Sequence, residues 1–426
     1  MGDRPSKWSV AWTASRLAGR RFFRRTESKQ DADLGEILTG QLDQMKGLAM
    51  KLGQIVSYMD VPLPESAQQK LAQLQTGMSG MSLDKTRAAL QDAFGPDFEA
   101  RFDRLDMKPL AAASIGQVHR ARIGDHELAL KIRYPDVATS FENDLGGLAS
   151  LASLASFASA VDGKAIVPEL GARLAEECDY EREAAFQSAF ARAFANDSQV
   201  HIPEVFGALS TPSTLATSWS DGASFSEARE HSQALRDFYA ATLVRFNYRS
   251  LLNLSTIQAD PHPGNYLFGP KERVTFLDFG CIREFEPDFI NNLRSVIDAL
   301  DHDDRPRFRE AIIELGMVPK PARFDFEHHF AMMQHLHRPL LTSSFTFTPE
   351  FVKQGLAYNG PSNPNARHMD IPPAYIWVAR LQWGLWSVLA RLRASVRLRD
   401  VLDDIMAAPI TPLLLSPAHA SSTHAV

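Results

Sequence analysis

The sequence predicts an α+β protein in which a small strand-containing region is followed by a larger helical one, behind a helical extension. Three observations carry this. Apolar residues recur every three to four positions near the start, a hairpin pattern spans residues 116 to 132, and from residue 222 the chain reads as helix interrupted by two acidic loops. With 426 residues, 45% of them hydrophobic and 23% charged, the chain can bury a substantial core, which excludes general disorder.

The elements follow in order. Leu42, Met45, Leu48 or Ala49, Leu52 and Ile55 or Val56 form an apolar helical stripe that ends at Asp60-Val61-Pro62-Leu63-Pro64. Ser82 caps a second helix whose apolar side carries Leu90 and Phe94. Gly116 to Ala121, a Gly124-Asp125 turn and Leu128 to Ile132 make the hairpin. Helical patterns resume from Phe141 to Ala195. Val205 to Ser218 reads as two short strands around Ser210-Thr211-Pro212. Beyond Asp221-Gly222 the chain is mainly helical to Ala407, and a loose tail follows. The expected segments are therefore 1–35 (basic), 36–100 (helical extension), 101–220 (strand-containing lobe with a helical insert), 221–407 (helical lobe) and 408–426 (tail).

Charge and cysteine content exclude several classes. A net charge of −6 and a pI near 6.1 argue against nucleic acid as a partner. The first 30 residues nevertheless hold Arg4, Lys7, Arg16, Arg20, Arg21, Arg24, Arg25 and Lys29 against Asp3 and Glu27. Trp8, Val10, Trp12, Leu17, Phe22 and Phe23 lie among those cations, so the segment is a candidate membrane-surface helix, or else a basic tail. Cys178 and Cys281 alone supply neither a disulfide framework nor a four-cysteine zinc site, and a reducing compartment follows. Arg20-Arg21 is not an export signal, because a polar run follows it. No run of 18 apolar residues exists; Gly146 to Val161 and Tyr375 to Arg391 are expected to pack inside the protein. The expected location is cytoplasmic, with peripheral contact at the inner membrane face.

Two motifs carry chemistry. Asp260-Pro261-His262-Pro263-Gly264-Asn265 separates an Asp from an Asn by four residues, as a kinase catalytic loop does, and Asp278-Phe279-Gly280 follows after about a strand and a turn. Asp278 is expected to hold magnesium and Asn265 a second metal ion, since hard cations prefer oxygen. Asp260 is placed to orient or deprotonate a nucleophile. His262 is expected to be a hydrogen-bonded loop residue. Upstream, Ala111-Ala112-Ala113-Ser114-Ile115-Gly116-Gln117-Val118 overlies a glycine-rich phosphate loop with alanine at the first two glycine positions, and Lys131 ends the following strand. Ala111, Ala112, Ala113, Ser114, Gly116, Gln117, Val118 and Lys131 are thus the expected ATP contacts. The acidic partner of Lys131 should come from the helix Leu174 to Phe190. Glu177 and Glu183 lie about 240° apart around a helix, so one of them reaches Lys131. Glu183, sharing a face with Glu176 and Asp179, is favoured.

Lys51-Leu52-Gly53-Gln54, the Ala111 to Gln117 loop, Glu177-Cys178-Asp179-Tyr180, Asp260 to Asn265 and Asp278-Phe279-Gly280 together resemble the UbiB/AarF family of atypical kinases, in family order over roughly residues 40 to 395. The resemblance implies a protein-kinase-like bilobal fold, ATP and Mg2+ as cofactors, and a role in coenzyme Q biosynthesis. Quinone-precursor lipid, a membrane surface and quinone-biosynthesis enzymes are the implied partners. It also implies that the K-x-G-Q motif folds across the active site, with Lys51 and Gln54 as gating residues faced by Glu177 and Asp179. A small-molecule or lipid kinase and a nucleotide-gated scaffold are the alternatives. No A-P-E segment follows Asp278-Phe279-Gly280, which disfavours an ordinary protein kinase.

Overall fold

The computed structural model describes residues 81–112, 115–135, 176, 178–269, 272–358 and 363–413. The described chain forms two compact units. The first comprises residues up to 184 together with 205–219; the second comprises residues 185–204 and everything from 220 onward.

In the first unit, helix α1 (Leu83–Phe94) begins at Ser82, whose hydroxyl accepts from the Lys85 amide, and buries Thr86, Ala89, Leu90 and Phe94. Strands β1 (Arg104–Leu105), β2 (Ala111–Ala112), β3 (Gly116–Ile123), β4 (His126–Arg133) and β6 (Thr214–Ser218) form one antiparallel sheet, with β3 paired to β4 and β4 to β6. The two-residue turn Gly124–Asp125 sets the register: Ile123 faces His126 and Val118 faces Lys131. Successive side chains alternate between the two faces of a strand. Leu128, Leu130 and Ile132 accordingly pack with Ala121, Ala216, Leu90, Phe94 and Phe98 into the core, while Ala129, Lys131 and Arg133 face the other way. The first of the two strands expected around residue 210 is only an isolated bridge, Val205 to Thr217, followed by a 3-10 turn at Gly207–Leu209.

Helix α2 (Tyr180–Ala193) opens in the first unit and continues into the second. There follow β5 (Val200–His201), α3 (Phe225–Ala228), α4 (Gln233–Leu252), β7 (Thr256–Gln258), β8 (Tyr266–Gly269), β9 (Arg273–Phe276) and β10 (Ile282–Glu284). The unit continues through α5 (Pro287–Asp301), α6 (Arg305–Glu314), α7 (Phe326–Leu341), β11 (Phe345–Thr346), α8 (Pro349–Tyr358), α9 (Pro373–Leu392), β12 (Ser395–Val396) and α10 (Arg399–Ala407). Helix α4 buries Thr242, Leu243, Val244, Phe246, Asn247 and Tyr248, positions that go all the way round a helix, so it lies inside the unit. Its end feeds β7, which pairs antiparallel with β10; β8, β9 and β5 make a second small sheet. These short strands correct the expectation of helix broken only by loops.

Helix α9 is internal, as expected for Tyr375 to Arg391: Trp386 is fully buried and donates Nε1–H to the Leu336 carbonyl. Among the described residues no helix is long and apolar enough to cross a membrane. The segment expected to be a loose tail is fixed at its start. The Asn253 side chain donates to the carbonyls of Ile405 and Ala408, Thr411 N–H donates back to the Asn253 carbonyl, and Leu413 N–H to that of Leu254.

Candidate active site

The first unit contributes a buried ion pair. Lys131 Nζ donates to both Glu183 oxygens at 3.0 Å, with side-chain exposures of 17% and 2%. The ammonium also lies 4.9 Å from the ring centroid of the buried Tyr180. The pairing follows from strand alternation and from the start of α2. Arg133, two residues after Lys131 on the same face of β4, donates to the carbonyls of Cys178 and Pro212 and so ties the residues leading into α2 to the sheet. Asp179 precedes the helix and caps it, Oδ1 accepting from the Arg182 amide at 2.9 Å. This corrects the expectation that Asp179 shares a helical face with Glu183: Cys178 and Asp179 are non-helical.

The loop expected to bind ATP divides by face. Ala111, Val118 and Lys131 stand in register across β2, β3 and β4 and share a face. Gln117 stands on the opposite face and is fully buried. Its Oε1 accepts from Met81 N–H at 2.8 Å, and its Nε2 donates to Thr86 Oγ1 at 2.9 Å and to His119 Nε2 at 2.8 Å. Burial pushes the His119 imidazole below its ordinary range, so the ring is neutral and Nδ1 donates to the Asp106 carbonyl at 2.8 Å. The Gln117 side chain therefore holds α1 to the sheet and is withdrawn from any ligand. Gly116 has its own local reason: a Cβ there would lie 2.3 Å from the Ile132 carbonyl oxygen. The side chain of Ala112 and all of Ala113, Ser114, Glu177, Lys51 and Gln54 lie outside the described residues, as do the helical stripe at 42–56, residues 1–35 and Gly146 to Val161.

The second unit brings the two acidic motifs together. The Asn265 amide nitrogen donates to the Asp260 carbonyl at 3.0 Å and to Asp260 Oδ2 at 3.3 Å. His262 accepts the Gly264 amide on Nδ1 and shapes the turn, which is the loop role expected for it. Leu277 N–H donates to the Asn265 carbonyl, and Ala259 N–H to that of Cys281, so the strands on either side bind one motif loop to the other. Asp278 Oδ1 accepts from Gly280 N–H at 2.9 Å, and Gln258 Nε2 donates to the Asp278 carbonyl. Phe279 is fully buried, 5.1 Å from the Phe190 ring of α2. Tyr266, buried next to Asn265, has its phenol pushed above its ordinary range by burial and then by the charge of Asp260.

Three side chains here escaped sequence reasoning: Arg133, Gln258, and Arg380 of α9, whose Nη2 lies 3.2 Å from Asp260 Oδ1. Strand alternation from Lys131 points to Arg133. No local pattern signals Arg380, 120 residues from its partner.

The profile of the ABC1 atypical kinase-like domain matches residues 73–312. The chain belongs to the ABC1 atypical kinase-like family. It is similar to the mitochondrial atypical kinase COQ8 of Schizosaccharomyces pombe, 33% identical over 326 residues that cover 74% of this chain and 51% of that protein. It also resembles COQ8 of Saccharomyces cerevisiae, 26% identical over 87% of this chain and 75% of the relative. The rat mitochondrial atypical kinase COQ8B is 29% identical over 87% of this chain and 71% of its own length. The chain thus spans about half the length of the fission-yeast relative. Among solved structures, the Mycobacterium tuberculosis protein Rv3197, determined as a complex with erythromycin, superposes with a TM-score of 0.68 at 24% identity, covering 89% of this chain and all of that one. The fold is kinase-like. Within the ABC1 frame, Lys131, Glu183, Asp260, Asn265 and Asp278 all fall inside the matched residues, whereas Arg380 falls beyond them.

Proposed function

We propose that the chain binds ATP with magnesium and moves its terminal phosphoryl group, to water or to a hydroxyl acceptor, in support of isoprenoid quinone (ubiquinone) biosynthesis at a membrane face. The observation that carries the reading is the Lys131–Glu183 pair. Burying a carboxylate to 2% exposure is expensive, and a fold gains little from such a pair that apolar side chains would not supply. A nucleotide-binding chain gains a lysine held ready for phosphate.

Asp278 and Asn265 are the residues that would hold magnesium. Among the described residues no cluster of three or more His, Cys, Asp or Glu side chains forms a self-sufficient metal site. That fits magnesium, which commonly takes one or two protein oxygens and completes its shell with nucleotide phosphates and water. Because the Asn265 nitrogen is engaged by Asp260, the amide presents its oxygen as the remaining polar atom, the right donor for a hard cation. Bound magnesium supplies neutralisation of phosphate charge. Asp260 then accepts the proton of an acceptor hydroxyl or orients a water.

The quinone role rests on the resemblance to the UbiB/AarF family and accords with relatives named COQ8. In this reading a quinone-precursor lipid lies on the acceptor side, quinone-biosynthesis enzymes are partners, and residues 1–35 make peripheral contact with the membrane.

The test incubates the purified protein with γ-labelled ATP and magnesium, with and without anionic liposomes and membrane extract. Magnesium-dependent release of free phosphate is expected. A labelled lipid or small molecule would assign the acceptor as a hydroxyl, and nucleotide binding without turnover would leave only a gated scaffold. No magnesium-dependent nucleotide binding at all would sink the reading.

A further inference from the structure

The motif aspartate has a cationic neighbour that its own loop does not provide. In Asp260 to Asn265 the interior side chains are Pro261, His262 and Pro263, and His262 spends Nδ1 on the turn. The cation arrives instead from α9. Trp377, Arg380 and Gly384 are spaced three and four apart, so they share one face of that helix. Gly384 is pressed against the loop: a Cβ there would lie 2.3 Å from Pro261 Cγ, so no larger residue fits without moving one or the other. This contact fixes the height of α9 beside the motif, and one turn toward the helix N-terminus Arg380 meets Asp260 at 3.2 Å. Both side chains keep some solvent access, 20% for Arg380 and 29% for Asp260. Two guanidinium groups approach the Trp377 ring, Arg283 of β10 at 4.4 Å and Arg380 at 5.4 Å from its centroid, and the ring helps to hold the latter.

We infer that Arg380 is a positioning residue for phosphoryl transfer: it holds one oxygen of Asp260 while the Asn265 amide holds the other, and so fixes the plane of the carboxylate toward the acceptor. The inference rests on the proposed function and extends it to a side chain that lies outside the matched ABC1 residues. A carboxylate accepts about four hydrogen bonds, so both oxygens keep capacity for an acceptor O–H after these contacts. A guanidinium at a fixed position also adds positive potential on the acceptor side, where charge builds as the phosphoryl group transfers.

The test compares Arg380→Ala, Arg380→Lys and the wild type in magnesium-dependent ATP turnover, with nucleotide affinity read separately by thermal shift. Misplacing a reacting group typically costs on the order of a hundredfold, and because Asn265 still holds Asp260, Arg380→Ala should lower kcat about tenfold while KM for ATP stays within about twofold. Arg380→Lys should recover most of kcat, and methylguanidinium added to Arg380→Ala should recover part of it. Unchanged kcat in Arg380→Ala overturns the inference, as does a loss that neither Lys nor methylguanidinium restores. A double-mutant cycle of Arg380→Ala with Asp260→Ala on thermal unfolding needs no turnover: coupling is expected, and additive effects overturn the pairing. If the wild type turns over no ATP, the proposed function falls, while the cycle still decides the pairing.

Discussion

Lys131 and Glu183 meet in the first unit across 52 positions of sequence as a side-chain pair largely closed to water. Asp260, Asn265 and Asp278 fall within about twenty residues of one another in the second unit, and backbone N–H groups, a carboxamide and a guanidinium hold them. The difference teaches which residues carry stability as well as chemistry. A charge buried against an opposite partner loses compensation when that partner is removed. A carboxylate near solvent, bound by backbone donors, loses its charge with the scaffold intact.

Lys131→Met tests the contrast most severely. It removes the ammonium 3.0 Å from the buried Glu183 carboxylate and should cost about 3 kcal/mol of stability, seen as a lower midpoint in denaturant, together with loss of nucleotide binding. Adding Glu183→Gln should return much of the stability and none of the binding. If the double variant is no more stable than the single, the pair is not what the fold depends on.

Asp278→Asn should do the reverse. Turnover should fall about a hundredfold, the scale seen when a group stabilising transition-state charge is removed, with melting within a few degrees of the wild type. A collapse in melting temperature would erase the distinction between the units.

Gln117→Leu sharpens the comparison inside the first unit. The substitution takes the partner from Met81 N–H and from His119 Nε2 and one of two from Thr86 Oγ1, and should cost about 2 kcal/mol, while ATP affinity measured on folded protein stays put. Weakened ATP binding at unchanged stability would return Gln117 to the nucleotide site.

The most gradual effect is on pH dependence. In the second unit burial pushes His329 and His337 down to about 4, in His337 against an opposing hydrogen bond from its Nδ1 to the Met333 carbonyl. Each folded pKa lies below the ordinary value of 6.5, so the unfolded chain binds the extra proton first. The stability these rings contribute is complete above pH 6.5 and is lost as pH falls toward 4, by up to about 1.4 kcal/mol per pH unit for each ring. Replacing His337 with Leu should flatten the slope of unfolding free energy between pH 6.5 and 4; an unchanged slope would mean that this ring is not held neutral.

What could be read from sequence follows the range of each interaction. The hairpin was legible because alternation and a Gly-Asp turn agree, and α1 because Ser82 precedes an apolar period. The acidic helix that supplies the partner of Lys131 was legible, but the helical angle used to favour Glu183 was not sound, because the helix starts only at Tyr180. The short strands from β7 to β10 were not, since three or four residues buried on both faces show no alternation. The inward turn of Gln117 follows from a period of two counted from Val118, but the resemblance of its loop to a phosphate loop masked it. Arg380 was invisible because a pair 120 residues apart depends on the packing of Gly384 against Pro261, which no local pattern records.

The Asn253 clamp sets a rule for handling this chain. Ile405, Ala408, Thr411 and Leu413 are fastened to the turn that launches β7, two residues short of the Asp260 loop. A stop codon or affinity tag placed before residue 413 would unfasten that turn and reach the motif through three residues of strand. Shortening or labelling the protein before Leu413 therefore disturbs the motif loop as well as the end of the chain.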